Sequence, residues 1–115
     1  MQILDRKAYG TGDVIFKEGE EGRCAYLVQT GNVEIYKRGY GGETVLGTIG
    51  PGGIFGEMAL IDGSPRMAGA RAGEHTVVVV VGRSQFEEKL RKTDPFVRAL
   101  LNILVRNVRD MSERI

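Results

Sequence analysis

Apolar residues follow two different periods along this 115-residue chain. Up to residue 82 they form short runs rich in β-branched residues, punctuated by glycine; beyond it they recur every three or four residues with no glycine at all. The first pattern predicts strands over 13–17 ("DVIFK"), 24–30 ("CAYLVQT"), 32–38 ("NVEIYKR"), 43–49 ("ETVLGTI"), 67–72 and 75–81, with "EGEEG" and "RGYGGE" as turns. In "NVEIYKR" Val33, Ile35 and Lys37 share one face, and Glu34, Tyr36 and Arg38 the other. "TVVVVV", Thr76 to Val81, does not alternate and so predicts a strand covered on both faces. An antiparallel barrel or sandwich follows from this half of the chain.

The second pattern predicts two helices, about 83–92 and 94–114, the latter opened by Asp94 as N-cap with Pro95 at the first helical position. The helices are expected to cover "TVVVVV". Val97, Leu101, Leu104, Val108, Met111 and Ile115 fall at alternating spacings of 4 and 3, an a/d seam. Phe96, Leu100 and Ile103 widen the apolar surface of the first half, which points to a wide half docked on the strands and a narrow stripe facing another helix. The alternative, that the whole seam covers its own domain, stands beside that reading. In the first case the partner is a second copy of the chain.

Composition narrows the function classes. At this length the chain makes one domain, 1–115, too small for a two-domain enzyme. Lys and Arg number 16 against 15 Asp and Glu, so no global field draws nucleic acid or an anionic membrane, and any anion site has to be local. No apolar run approaches a membrane span and "MQILDRKAY" lacks the features of a secretory signal, so the expectation is a soluble, cytoplasmic chain. The single Cys24 reads as a small buried thiol in a strand. One histidine, His75, placed at a turn, cannot assemble a metal centre, and neither an enzyme nor a cofactor is expected. The glycines of "GYGGE" and "GPGGIFG" do not form a dinucleotide-binding G-x-G-x-x-G.

The most specific chemistry lies in "FGEMALIDGSPRMAGA", Phe55 to Ala70. "GEMAL" is one turn of helix formers after a glycine, and "DGSPR" breaks it. The first amides of such a turn have no partner within it, and the glycine lets an anion come close. Arg66 supplies a fork suited to a phosphate. Glu57 is an acceptor suited to a hydroxyl such as a ribose 2′-OH. Phosphate plus ribose hydroxyl describes a nucleotide. Each residue also has an ordinary role, Glu57 as a helix-dipole partner and Arg66 as a surface arginine after a turn; it is the pair at this spacing that points to a site.

"FGEMAL" followed by "SPRMAGA" resembles the phosphate-binding cassette of the cyclic nucleotide-binding domain family, and "GDVIFKEGEEG", "AYLVQTGNVEIYK" and "IGPGGIFGE" resemble its successive segments. The resemblance implies a mainly β fold over about 7–115: an antiparallel β-roll (jelly roll) to about residue 82, a short helix in the cassette, and two C-terminal helices. It implies cAMP or cGMP as ligand, with Arg66 on the cyclic phosphate and Glu57 on the ribose 2′-OH. Backbone contacts fall to Gly56, Met58, Ala59, Met67 and Ala68, and Val33, Leu46 and Ile49 form an apolar wall near the base. Ser112 or its polar neighbours approach the base from the long helix. Where cGMP-preferring members carry Thr or Ser after the cassette arginine this chain has Met67, a weak acceptor, which favours cAMP. Gly69 stands where Ala or Thr is usual. The competing reading is a roll that binds no nucleotide and serves as a dimerisation or docking module. Among the basic residues of the last turns, Arg106, Arg109 and Arg114, the sequence selects none to cap the base, and Asp94-Pro95 is the candidate joint that moves, because Pro interrupts helical hydrogen bonding between the two helices.

Overall fold

The computed structural model describes residues 5–113. Eight strands form two four-stranded antiparallel sheets. The first sets β1 (Asp5–Tyr9), β8 (Thr76–Gly82), β3 (Cys24–Thr30) and β6 (Ile54–Phe55) side by side in that order. The second orders β2 (Val14–Phe16), β7 (Gly69–Ala72), β4 (Val33–Gly39) and β5 (Gly42–Ile49). The described residues also form three helices: α1 (Met58–Asp62) within the quoted stretch, then α2 (Arg83–Arg91) and α3 (Pro95–Ser112).

The core lies between the sheets and is built from Phe16, Tyr26, Val28, Val33, Phe55, Ala70 and Val78. Three of these are aromatic and stack as a group, with centroids 4.9 Å apart for Tyr26 and Phe55 and 6.0 Å for Phe16 and Tyr26. The all-valine strand β8 sits between β1 and β3, and at its centre Val78 and Val79 are both buried, so it is covered on both faces there. α2 packs on β3 and β8, whereas the principal partner of α3 is α1. Of the two C-terminal helices expected to cover β8, it is α2 that packs on it.

Two strands escaped the periodicity. β1, "DRKAY", is charged and mostly exposed, and it is a strand because it pairs residue for residue with β8 from Asp5↔Val80 to Tyr9↔Thr76. β6 is two residues long, below what a period can register. The alternation read in β4 holds, with Val33 and Ile35 toward the core and Glu34 and Tyr36 together beside Arg71 on the other face, but its partner β5 carries an irregularity. Ile35 pairs with Gly47 but Tyr36 pairs with Val45, so Leu46 is the extra residue of a β-bulge. Tyr36 is buried on the outer face, its ring lying over Gly69, where a Cβ would come within 2.6 Å, and beneath the Arg71 guanidinium at 4.5 Å.

α3 begins as its sequence requires, with the Asp94 carboxylate accepting from the Phe96 amide at 2.8 Å and Pro95 in the first turn. Its docked face differs from the expected one. Leu101 (half-buried), Val105, Arg109 and Ser112 face the body of the protein, while Phe96, Leu100 and Ile103 are exposed. The physical reason is the size of the target: α1 is five residues long and can cover one row of α3, not a broad surface. Val97, Leu104, Val108 and Met111 of the seam are exposed with them, and Ile115 lies outside the described residues. Val105→Ala is expected to cost about 1–3 kcal/mol in chemical denaturation and to raise amide exchange over 95–112 more than in the sheets.

Candidate functional site

Arg66 is a buried cation. Its residue is 6% exposed, and its side chain passes under the end of β6 so that Nη1 donates to the Gly56 carbonyl at 2.5 Å and Nη2 to the Cys24 carbonyl at 2.8 Å. The guanidinium carbon lies 4.1 Å from the centre of the Phe16 ring, a cation–π contact in a desolvated position. Among the described residues it makes no ion pair, and its Nε is buried without a hydrogen-bond partner. A buried charge without a counter-charge is costly unless something of opposite sign joins it. The main chain on either side is fixed as well: the Arg66 amide donates to Glu20 O and its carbonyl accepts from the Gly19 amide, both at 2.8 Å.

The neighbouring main chain makes room for this side chain. Gly56 has φ +78°, and a Cβ there would stand 2.9 Å from Arg66 Nη1. Glycine answers both the left-handed backbone and the close approach. Gly22 has the same function from the other side, since its Cβ would meet Ala59 Cβ at 2.5 Å and Arg66 Cζ at 3.2 Å.

α1 opens at Glu57, whose carbonyl accepts from the Leu60 and Ile61 amides at 3.0 and 3.1 Å, leaving the first amides of the turn without intrahelical acceptors. Burial raises the Glu57 carboxyl above the usual carboxylate range, and the Arg66 charge partly opposes that rise. A cation and a carboxylate thus face one recess without being paired to each other, which leaves each able to engage a ligand.

The recess is a cavity of about 180 Å³ lined by Phe16, Ile35, Ile49, Ile54, Phe55, Gly56, Glu57, Met58, Ala59, Arg66, Met67, Ala68 and Arg109. It gathers Gly56, Glu57, Met58, Ala59, Arg66, Met67, Ala68 and Ile49, eight of the eleven residues singled out in the sequence. Val33 is absent from the lining because it is fully enclosed in the core between Ile49 and Ala72. Leu46, the bulge residue, is absent too; the β4 position that lines the wall is Ile35. Ser112 does not line the cavity but an adjoining recess that shares Arg66, Met67 and Arg109 with it, and its hydroxyl donates to the Arg109 carbonyl at 3.0 Å.

Phe16, Ile35, Ile54 and Phe55 are lining residues that sequence reading missed, since nothing in a strand's period distinguishes a core position from one that opens into a cavity. Arg109 carried a usable signal. It stands four residues after Val105 and eight after Leu101, on the docked face, so it turns inward where Arg106 is exposed. Two of its nitrogens engage both oxygens of Asp62 and the third donates to the Pro65 carbonyl at 2.9 Å. His75 is exposed at its turn, and Cys24 is half-buried and unpaired. Among the described residues no cluster of His, Cys, Asp or Glu could hold a metal ion, and no helix is long and apolar enough to cross a membrane.

The sequence model of the cyclic nucleotide-binding domain matches residues 6–93. The chain is 33% identical over 111 residues to the cyclic AMP receptor protein of Thermus thermophilus, covering 96% of itself and 51% of that protein. It is 34% identical over 99 residues to a cAMP-dependent protein kinase regulatory subunit of Candida albicans, covering 80% of itself and 21% of that protein. It therefore spans about half the length of the first relative and about a fifth of the second. Among solved structures, the EAL enzyme Bd1971 is similar in its cAMP-bound form, with TM-score 0.87, 36% identity and coverage of 91% of this chain and 28% of that one. The cGMP-bound form of the same enzyme gives TM-score 0.88 at 34% identity, covering 96% and 30%.

The raised carboxyl of Glu57 has a defined consequence for stability. A group whose pKa is higher folded than unfolded contributes stability that is fully present below the unfolded value and lost as pH rises through the folded one. At neutral pH the buried charge therefore works against folding. Glu57→Gln is expected to raise the melting temperature at pH 7.5, with the gain shrinking toward pH 4; a variant less stable than the parent at pH 7.5 would contradict this origin.

Proposed function

The chain belongs to the cyclic nucleotide-binding domain family, and from that premise we propose that it is a sensor that binds cAMP in preference to cGMP and passes occupancy to its C-terminal helices. The observation that carries the proposal is Arg66: buried, in no ion pair among the described residues, with a buried Nε that has no partner, on a side chain that lines the cavity. A cyclic phosphate supplies the missing counter-charge and the missing acceptor together. Glu57 accepts from the ribose 2′-OH, the amides of Gly56, Met58, Ala59, Met67 and Ala68 surround the phosphate, and the purine rests on the Ile35 and Ile49 side of the recess. No hydrolytic or transfer step is involved.

The preference for cAMP is supported by Met67. Its thioether is a weak acceptor and donates nothing, so the 2-amino group and N1 of guanine gain no partner there, whereas adenine asks for none. The overall likeness to known structures does not decide between the two bases, since the same neighbour is similar in cAMP-bound and cGMP-bound forms.

The output side of the proposal is a second copy of the chain. Val97, Leu100, Leu104, Val108 and Met111 are each at least 41% exposed and lie along one side of α3 at heptad-like spacing. An apolar stripe of that length on one helix is what a parallel partner helix covers. The rival reading, a docking module without a nucleotide, would account for this stripe but leaves the unpaired Arg66 unexplained.

Two measurements test the reading. In calorimetric titration, cAMP is expected to bind at least tenfold more tightly than cGMP or linear 5′-AMP. Arg66→Lys, which keeps the charge but loses the fork, is expected to weaken cAMP binding by about a hundredfold. Equal affinity for cGMP would overturn the base preference, and a folded protein that binds neither cyclic nucleotide would overturn the sensor. By sedimentation, the parent chain is expected to be a dimer and Leu104→Glu a monomer with unchanged melting of the β-roll.

A further inference from the structure

Besides the main-chain bonds of Arg66 to Gly19 and Glu20, the segment that carries it is tied to α3 by hydrogen bonds from one side chain. Residues 62–66 leave the end of α1 through Gly63, which is left-handed at φ +70°, and reach Arg66 by way of Pro65. Arg109 grips both ends of that segment, with a forked contact to the two oxygens of Asp62 and a donor on the carbonyl of Pro65, the residue just before Arg66. The two side chains are 17% and 21% exposed, the most enclosed ion pair among the described residues; the others have at least one partner above 34%. A forked arginine–carboxylate contact in such a position fixes geometry as well as distance. Asp62 also accepts from the Ser64 amide at 3.0 Å, so the same carboxylate shapes the turn and anchors it.

We propose that Asp62 and Arg109 act as a positioning pair for the anion site: by holding 62–66 against α3 they set where Arg66 stands, so that docking of α3 and affinity for the nucleotide become one linked quantity. This rests on the nucleotide-binding reading above. Asp62 does not line the cavity, so any effect of replacing it on ligand binding must travel through Arg109 and the loop. Arg109 does line the cavity, so its replacement alone would not separate positioning from contact. Linkage makes the relation reciprocal: if α3 held by Arg109 favours the nucleotide, the nucleotide favours the docked α3 by the same factor.

The experiment uses the whole chain and four proteins: the parent, Asp62→Asn, Arg109→Gln and the double variant. Calorimetric titration with cAMP is expected to show each single variant weakened by about tenfold and the double variant no weaker than the worse single one. Amide exchange without nucleotide is expected to rise over 58–66 and 95–112 in Asp62→Asn while the β-strands exchange at the parent rate. Saturating cAMP should slow exchange over 95–112 in the parent and lose most of that effect in Asp62→Asn, a change that a purely structural contact would not produce. Parent-like affinity in Asp62→Asn with a loss confined to Arg109→Gln would overturn positioning in favour of direct contact, and additive losses in the double variant would overturn the pair. If the parent binds no cAMP the nucleotide reading falls, while the exchange comparison over 58–66 still decides whether Asp62 and Arg109 hold the loop.

Discussion

The structure turns on one buried guanidinium. Arg66 is enclosed against Phe16, with two of its nitrogens given to main-chain carbonyls and the third left over. Holding a charge in such a place constrains everything near it. The strand end must supply carbonyls, the backbone must come close at Gly22 and Gly56, and the aromatic group must offer a ring face. The same constraints leave a cation with unspent electrostatic potential at the wall of a cavity, which is what an anion receptor needs. On the proposed reading stability and recognition share a residue, and the truncation Arg66→Ala would take a donor from two carbonyls as well as remove the proposed receptor.

Glu57 shows the opposite balance. Its burial raises the carboxyl and works against folding at neutral pH, relieved in part by Arg66. In the proposed reading the use of this carboxylate lies in binding, where a ribose hydroxyl would give it a donor without adding charge. α3 divides its duties by face. One row, Leu101, Val105, Arg109 and Ser112, belongs to the domain, and the neighbouring side is an apolar stripe. A helix that touches the cassette with one face and offers another to a partner is suited to carry a signal between them.

Most of the strands and all three helices were legible in the sequence because glycine punctuation and the change of period at residue 82 are strong signals. β1 was not, since a charged strand is made by its neighbour's hydrogen bonds rather than by its own pattern. The cassette was legible because its chemistry is concentrated in one short stretch. The wall was less so. Val33 and Ile35 share the inner face of β4, but Val33 lies within the core while Ile35 opens into the recess, and Leu46 is the bulged residue of β5 and stays out of the lining. The docked face of α3 was misread for a different reason. An apolar row marks a surface that wants cover, but which row is covered depends on the size of the element opposite, and α1 is short.

The most direct test of the central claim is the ¹⁵N resonance of Arg66 Nε in an arginine-labelled protein, followed during addition of cAMP and, separately, of adenosine. If Arg66 is the phosphate receptor, Nε–H moves downfield and becomes protected from exchange with cAMP, and adenosine, which lacks the phosphate, leaves it in place. An Arg66 signal that cAMP does not move, or that adenosine moves equally, would contradict the account.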